Sequence, residues 1–230
     1  MSEQYEYIGS ELEVFRAAVN WKQTLKRHIQ PFLHGDVLEV GAGIGGTTAV
    51  LRTGREKSWT CLEPDPILAD KLRQNEPEVE AITGVLTSLP RERLFDTILY
   101  IDVIEHIEDD TAEIRTAASH LASGGHLVLL CPAHQSLYSP FDKAVGHHRR
   151  YSKSMFRGLC PDSLSEQRMI YLDSVGLFAS IANKLVLSQS IPTPGQVAFW
   201  DKCLVRASRV NDWILRYSVG KSVLGIWIKQ

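Results

Sequence analysis

The sequence predicts an α/β fold: a seven-stranded, mostly parallel sheet with helices on both faces. Three observations predict it. Short apolar segments alternate with helical ones from residue 36 to residue 132. The short segments are apolar almost throughout, as strands covered on both faces must be. A glycine-rich turn follows the first of them and opens a helical stretch, the arrangement of a strand–turn–helix unit.

The elements follow in order. Residues 11–33 carry Leu12, Phe15, Val19, Leu25, Ile29 and Phe32 near helical spacing, which predicts one amphipathic helix ended by Pro31. DVLEV (36–40) is a first strand, and TTAVLRTG continues from the glycine turn as a helix ending near Gly54. SWTCLE (58–63) is a second strand, followed by a helix with Pro64 and Pro66 at its start. Residues 79–84 and 94–102 are a third and a fourth strand. IEDDTAEIRTAASHLAS is a helix with an acidic first turn, as the helix dipole favours. GGHLVLLCP (124–132) is a fifth strand, and two more strands are expected at 164–173 and 221–229. Between those two lies a helical insertion, 174–220, with an apolar helix, a break at Ile191–Gly195 and a second amphipathic helix. Its length is too great for a plain hairpin loop. The domain reading is an N-terminal helical cap over 1–34 and one α/β domain over 35–230.

Composition narrows the function. The chain has 230 residues, 44% hydrophobic and 23% charged, with a formal net charge of −2. Those figures exclude disorder throughout and suit a single domain with an insertion. The charge balance gives no electrostatic footprint for duplex nucleic acid. The cysteines Cys61, Cys131, Cys160 and Cys203 show no CxxC spacing, so no thiolate zinc site is expected. Cys61, Cys131 and Cys203 stand in apolar runs and read as reduced core thiols, which fits a reducing compartment. The acidic N-terminus lacks an apolar signal core, and the longest uncharged run, Leu121 to Phe141, is interrupted by Gly124-Gly125 and two prolines. A cytoplasmic location without a transmembrane segment is the expectation.

GAGIGG satisfies G-x-G-x-x-G as Gly41, Gly43 and Gly46, and E-x-G-x-G-x-G as Glu39, Gly41, Gly43 and Gly45. Such a loop lets a ligand approach backbone amides closely. Glu63 ends the second strand 22 residues after Gly41. An acid there can accept hydrogen bonds from both ribose hydroxyls, so an adenosine-containing cofactor is expected. NAD and S-adenosylmethionine (SAM) both satisfy this pattern. Glu39 and the acidic segment Asp102-VIEHIEDD favour the cationic SAM over a pyrophosphate.

On these residues the chain resembles the class I SAM-dependent methyltransferases, whose Rossmann-like fold it would share. VLEVGAGIG resembles the family's first motif and CLEPD its second-strand acidic motif. GVLTSLP, LFDTILYIDVIEHIED and LASGGHLVLLCPAH resemble the later motifs in order. The resemblance implies that Gly41, Gly43 and Gly45 line the methionine part of SAM and that Glu63 holds the ribose. It implies that Leu86 and Thr87 flank the adenine and that Asp102 sits beside the sulfonium end. Many relatives carry an acid where this chain has Leu86. S-adenosylhomocysteine (SAH) would be the product.

Methyl transfer needs alignment above all, and a base when the nucleophile is a hydroxyl or a protonated amine. Three histidine positions come into view. Asp102-x-x-Glu105-His106 resembles the E-x-x-E-H segment of magnesium-dependent methyltransferases, with Asp102 shorter by one methylene. The leading reading there is a pocket role for His106 without a metal; the alternative is magnesium on Asp102, Glu105 and His106. In Asp142-KAV-Gly146-His147-His148-Arg149-Arg150-Tyr151, His147 or His148 is a candidate base, and Arg149 and Arg150 are candidates to bind an anionic acceptor. The competing reading is a structural clasp in which Asp142 pairs with an arginine. His134 is a third candidate, assigned to the acceptor side. Trp21, with Tyr5 and Tyr7, is a candidate lid.

The sequence reading is therefore a SAM-dependent methyltransferase acting on an oxygen or nitrogen of a small-molecule or lipid-like acceptor in a biosynthetic pathway. No nucleic-acid partner is expected; a homodimer or peripheral membrane contact through 174–220 stays open. The alternatives are an NAD-linked oxidoreductase and a SAM-binding, non-catalytic partner protein.

Overall fold

The computed structural model describes residues 10–186 and 192–230. Seven strands form one sheet in the order β3-β2-β1-β4-β5-β7-β6. They are β1 (Asp36–Val40), β2 (Ser58–Glu63), β3 (Glu80–Thr83), β4 (Phe95–Ile101), β5 (Leu121–Pro132), β6 (Leu164–Leu172) and β7 (Ser222–Lys229). β1 to β5 pair in parallel, whereas β7 runs antiparallel between β5 and β6. The strand order reverses between β1 and β4, so the crevice at their carboxyl ends is where a ligand site belongs. Two buried clusters cover the two faces of the sheet, one around Tyr100, Phe156 and Trp227 and the other around Trp21, Leu25 and Trp59.

The expected helices form where local chemistry supports them. Asp65 caps α4 (Pro66–Asn75), accepting from the amides of Ile67 at 2.8 Å and Leu68 at 3.1 Å, with Pro66 at the first position. Asp109 caps α5 (Asp110–Ser119) through the Ala112 amide at 2.9 Å. After β1 the helix is a single turn, α3 (Thr48–Leu51), and it ends earlier than the sequence predicts.

The N-terminal helix differs from expectation. It is two helices, α1 (Ser10–Arg16) and α2 (Val19–Ile29), followed by a 3-10 turn at Gln30–Phe32. The break has tertiary causes. The buried Lys22 ammonium donates to the carbonyls of Phe15 at 2.8 Å and Arg16 at 2.9 Å, closing α1. The buried Asp201 carboxylate accepts the amides of Asn20 at 3.2 Å and Trp21 at 2.8 Å, supplying from far along the chain the cap that Ala18 cannot provide.

After β5 come α6 (Pro140–Ala144) and α7 (Lys153–Leu159). The insertion holds α8 (Ser174–Val186), α9 (Pro194–Phe199) and α10 (Val205–Ile214). Thr193 and Pro194 start α9 as a capped helix; Ile191 of the expected break lies outside the described residues. The second amphipathic helix is interrupted by a π-helical turn at Trp200–Leu204. There the Trp200 indole donates to Asp173 at 2.7 Å while Asp201 turns inward to α2. Cys61 and Cys131 are buried thiols as expected, but Cys203 is exposed on this π-helical turn, and Cys160 is partly buried. No described helix is long and apolar enough to cross a membrane.

Asp201 ties the insertion to α2, so its removal leaves buried amides unsatisfied. Asp201→Ala is expected to destabilise the protein by about 2–4 kcal/mol. A chemical denaturation curve against wild type checks this; an unchanged midpoint would show that water replaces the carboxylate without cost.

Candidate active site

The glycine turn is built by the ends of β1 and β2. The amides of Gly41 and Ala42 both donate to the Leu62 carbonyl, at 2.8 and 3.1 Å, which folds the loop back over β2. Gly41 and Gly43 lie in the left-handed region at φ +69° and +57°. A Cβ at Gly41 would come within 2.6 Å of Val103, so no other residue fits there without displacement. Glu63 is buried and pins the loop: its carboxylate accepts the Gly43 amide at 2.8 Å and the Asp65 amide at 3.1 Å. Glu39, wholly buried beneath the loop, accepts from Thr48 Oγ1 at 2.8 Å and Trp59 Nε1 at 3.0 Å. Burial raises its carboxyl to about 7, against the pull of those two hydrogen bonds.

A cavity of about 250 Å³ opens beside this loop at the carboxyl ends of β1 and β4. Gly41, Gly43, Asp102, His106, His147 and Arg150 line it. Trp21, Trp200 and Lys221 contribute the wall formed by α2 and the insertion. Asp102 follows β4 with φ +54° and is exposed along the cavity, where desolvation by the surrounding protein raises its carboxyl to about 6.

The catalytic candidates meet around Asp142. This buried carboxylate accepts the Ser139 amide and hydroxyl at 2.8 and 2.9 Å, Arg150 Nε and Nη2 at 2.7 and 2.9 Å, and His147 Nδ1 at 2.9 Å. Those donors outweigh burial and hold its carboxyl far below the usual carboxylate range. An ionised Asp142 can only accept, so His147 carries its proton on Nδ1 and leaves Nε2 as the basic nitrogen. Nε2 lies 3.9 Å from Glu105, and the His147 ring meets His106 edge-on with centroids 4.6 Å apart. Glu105 is fully buried and neither of its carboxyl oxygens has a hydrogen-bond partner among the described residues. Burial, and then the nearby Asp102, push its carboxyl well above the ordinary range. Burial lowers His106 to about 4, so its ring is neutral near pH 7.

Other expected site residues lie elsewhere. Arg149 is taken up by Asp110 and by the Glu108 carbonyl, outside the cavity lining. The structural clasp expected for Asp142 is therefore present with Arg150, and Arg149 makes a second one. His148 is exposed; it is the His148 amide that matters here, donating to the Glu105 carbonyl at 2.8 Å. His134 stacks on Tyr171 and bonds the Gly220 carbonyl at 3.0 Å, outside the cavity lining. Gly45 faces Leu72 of α4 and Glu76 just past its end rather than the cavity. The Leu86 side chain is fully buried in the core, so only its backbone can meet a ligand; its neighbour Val85 is exposed. Among the described residues, the grouping that could reach a metal ion is Glu105, His106 and His147, with ligand atoms within 4.8 Å of one another; it takes His147 in place of the expected Asp102. Tyr5 and Tyr7 lie outside the described residues, while Trp21 stands in the cavity wall beside Trp200, 5.8 Å between ring centroids. Lys221 and Trp200 were not legible as site residues: nothing local marks them, and only the antiparallel return of β7 and the insertion bring them in.

Residues 15–168 match the methyltransferase domain family. The chain belongs to that family. A curated relative, norajmaline N-methyltransferase of Rauvolfia serpentina, is 29% identical over 109 residues, which are 44% of this chain. The matched region spans 37% of that relative's length. A SAM-dependent methyltransferase from Archaeoglobus fulgidus superposes with a TM-score of 0.66 at 17% identity, covering 98% of this chain and 100% of that one. Coclaurine N-methyltransferase, bound to N-methylheliamine and SAH, superposes with a TM-score of 0.62 at 15% identity, covering 100% of this chain and 76% of that one. The fold is thus that of the SAM-dependent methyltransferases, and a methyl-transfer family takes the place of the oxidoreductase alternative.

The glycine loop fits a cofactor of this kind: an open, side-chain-free backbone borders the cavity, and a buried carboxylate holds its shape. Glu39 makes the site's pH response testable. Its raised carboxyl keeps a proton in the folded protein that the unfolded chain releases near pH 4.5. Its contribution to stability is complete below pH 4.5 and is lost as pH rises through about 7. Glu39→Gln keeps an oxygen for Thr48 and Trp59 and is expected to gain stability relative to wild type between pH 5 and pH 8. Denaturation midpoints at the two pH values check this, and a constant difference between the proteins would show that Glu39 is charged throughout.

Proposed function

We propose that this protein transfers a methyl group from SAM to a nitrogen or oxygen of a small acceptor in a biosynthetic pathway. The observation that carries the reading is His147. Its Nδ1 is fixed by the ionised Asp142, and the ring stands in the wall of the same cavity that the glycine loop borders. SAM, when bound, supplies an electrophilic methyl on a sulfonium. Gly41 and Gly43 would hold its methionine end, Glu63 its ribose, and the Asp102 segment the side nearest the acceptor. His147 Nε2 would take the proton of the acceptor's ammonium or hydroxyl. A base so placed contributes about 10²–10⁴-fold. His106 and Glu105 stand beside that nitrogen. Arg150 Nη1, buried without a partner among the described residues, is left to meet a polar group of the acceptor. Nitrogen as the target draws support from the N-methyltransferases among the similar proteins.

Calorimetric titration with SAH beside NADH is the first test. SAH is expected to bind in the micromolar range and NADH not at all, with Glu63→Ala losing SAH binding as the loop relaxes. Preference for NADH would overturn the reading. With an acceptor found by screening, His147→Ala is expected to lose about tenfold or more in turnover at unchanged SAH affinity. Arg149→Ala is expected to keep its turnover. SAH binding with no turnover on any acceptor would favour a non-catalytic role.

A further inference from the structure

The insertion presents an outer face that the methyl-transfer reading does not use. On α10, Val210, Trp213 and Ile214 are 62%, 71% and 61% exposed. Their i, i+3, i+4 spacing puts them on one side of the helix, opposite the buried Val205, Ser208 and Asp212. On the neighbouring α8, Phe178 is 60% exposed. Two adjacent helices that both turn large apolar side chains to water mark an interaction surface.

The charges beside this face have one sign. Within 192–220 the acids are Asp201 and Asp212, and both are buried in hydrogen bonds to backbone amides. Lys202, Arg206 and Arg216 are exposed, and Arg209 is partly so. Arg206 falls on the same side of α10 as Val210 and Trp213, with Arg209 at its edge. Among the described residues, both arginines bond neutral groups on α2: Arg206 to Asn20 Oδ1 at 3.2 Å, and Arg209 to Thr24 Oγ1 at 2.7 Å and the Asn20 carbonyl at 2.8 Å. Arg27 of α2 adds a third positive charge close enough to be felt at Arg209. Among the described residues α2 carries no acid, and Glu13 of α1 is paired with Lys71. A second copy of the chain would bring the same cations against this cluster.

We propose that the outer face of α8 and α10 docks on an anionic lipid surface, with Trp213, Ile214 and Val210 entering the headgroup boundary and Arg27, Arg206 and Arg209 meeting lipid phosphates and carboxylates. An exposed tryptophan at the rim of a basic cluster suits that boundary, where an apolar body and polar surroundings are both satisfied. The segment that would touch the membrane also carries Trp200 and leads into Lys221, so one element joins the lipid surface to the cavity wall.

Co-sedimentation of the full chain with vesicles tests this. Phosphatidylcholine vesicles with about a third phosphatidylserine are expected to pull the protein down, and pure phosphatidylcholine vesicles are not. Added salt is expected to release it. The double variant Trp213→Ser, Ile214→Ser and the charge reversal Arg206→Glu are each expected to weaken binding about tenfold or more while melting like wild type. The Trp213 emission is expected to shift to the blue with anionic vesicles. No sedimentation with either vesicle overturns the proposal, as does equal binding to both. A dimer in lipid-free solution that Trp213→Ser dissolves would assign the face to a second copy instead.

Discussion

Asp142 must remain ionised inside the protein, and the active side of the molecule is arranged to keep it so. Desolvation alone would drive a buried carboxylate to its neutral form. Five donors from Ser139, His147 and Arg150 reverse that outcome. Removing a partner from such a group costs about 3–5 kcal/mol, because the remaining charge is left uncompensated. The same bonds determine the tautomer of His147 and the direction of the Arg150 guanidinium. One constraint thus orients a candidate base and a candidate acceptor contact together.

A second buried carboxylate does the equivalent work for the cofactor side. Glu63 accepts two amides and fixes the loop that ends β1 to the helix that follows β2. An ordered loop costs less to bind against than a mobile one. Burial dominates at the other acids of the site: it raises Glu63 despite those two amides, Glu39 despite its bonds from Thr48, Trp59 and the Cys61 thiol, and Glu105. Asp142 differs in receiving the Arg150 guanidinium among its donors, and of these four acids it is the one held low.

Much of the sheet was legible in the sequence because its code is local. A strand buried on both faces must be apolar along its length, and β1, β2 and β4 fall within a residue or two of where DVLEV, SWTCLE and LFDTILYID put them. The glycine turn was legible for the same reason, since left-handed backbone at Gly41 and Gly43 demands a residue without a Cβ. The Asp142 clasp was half legible: the run of charges announced a pairing, but not that Arg150 would take Asp142 while Arg149 went to Asp110. That choice depends on which side of the backbone faces β4 and α5, and adjacent residues point opposite ways in an extended segment. The break between α1 and α2 could not be read at all. Both halves have helical spacing, and the groups that separate them, Lys22 and Asp201, act through space.

The insertion shows the same principle on a larger scale. Its apolar residues divide into those that pack inward, such as Leu177 and Val205, and those that do not, such as Trp213 and Ile214. Composition treats the two sets alike. What separates them is the position of Asp201 and Asp212, whose carboxylates are drawn into the body by backbone amides of α2 and of the start of α8. With its acids buried, the insertion keeps only cations on its outside. The amide donors that anchor these helices therefore also set the sign of the surface they display, so the internal hydrogen bonding and the external charge of this segment are one decision.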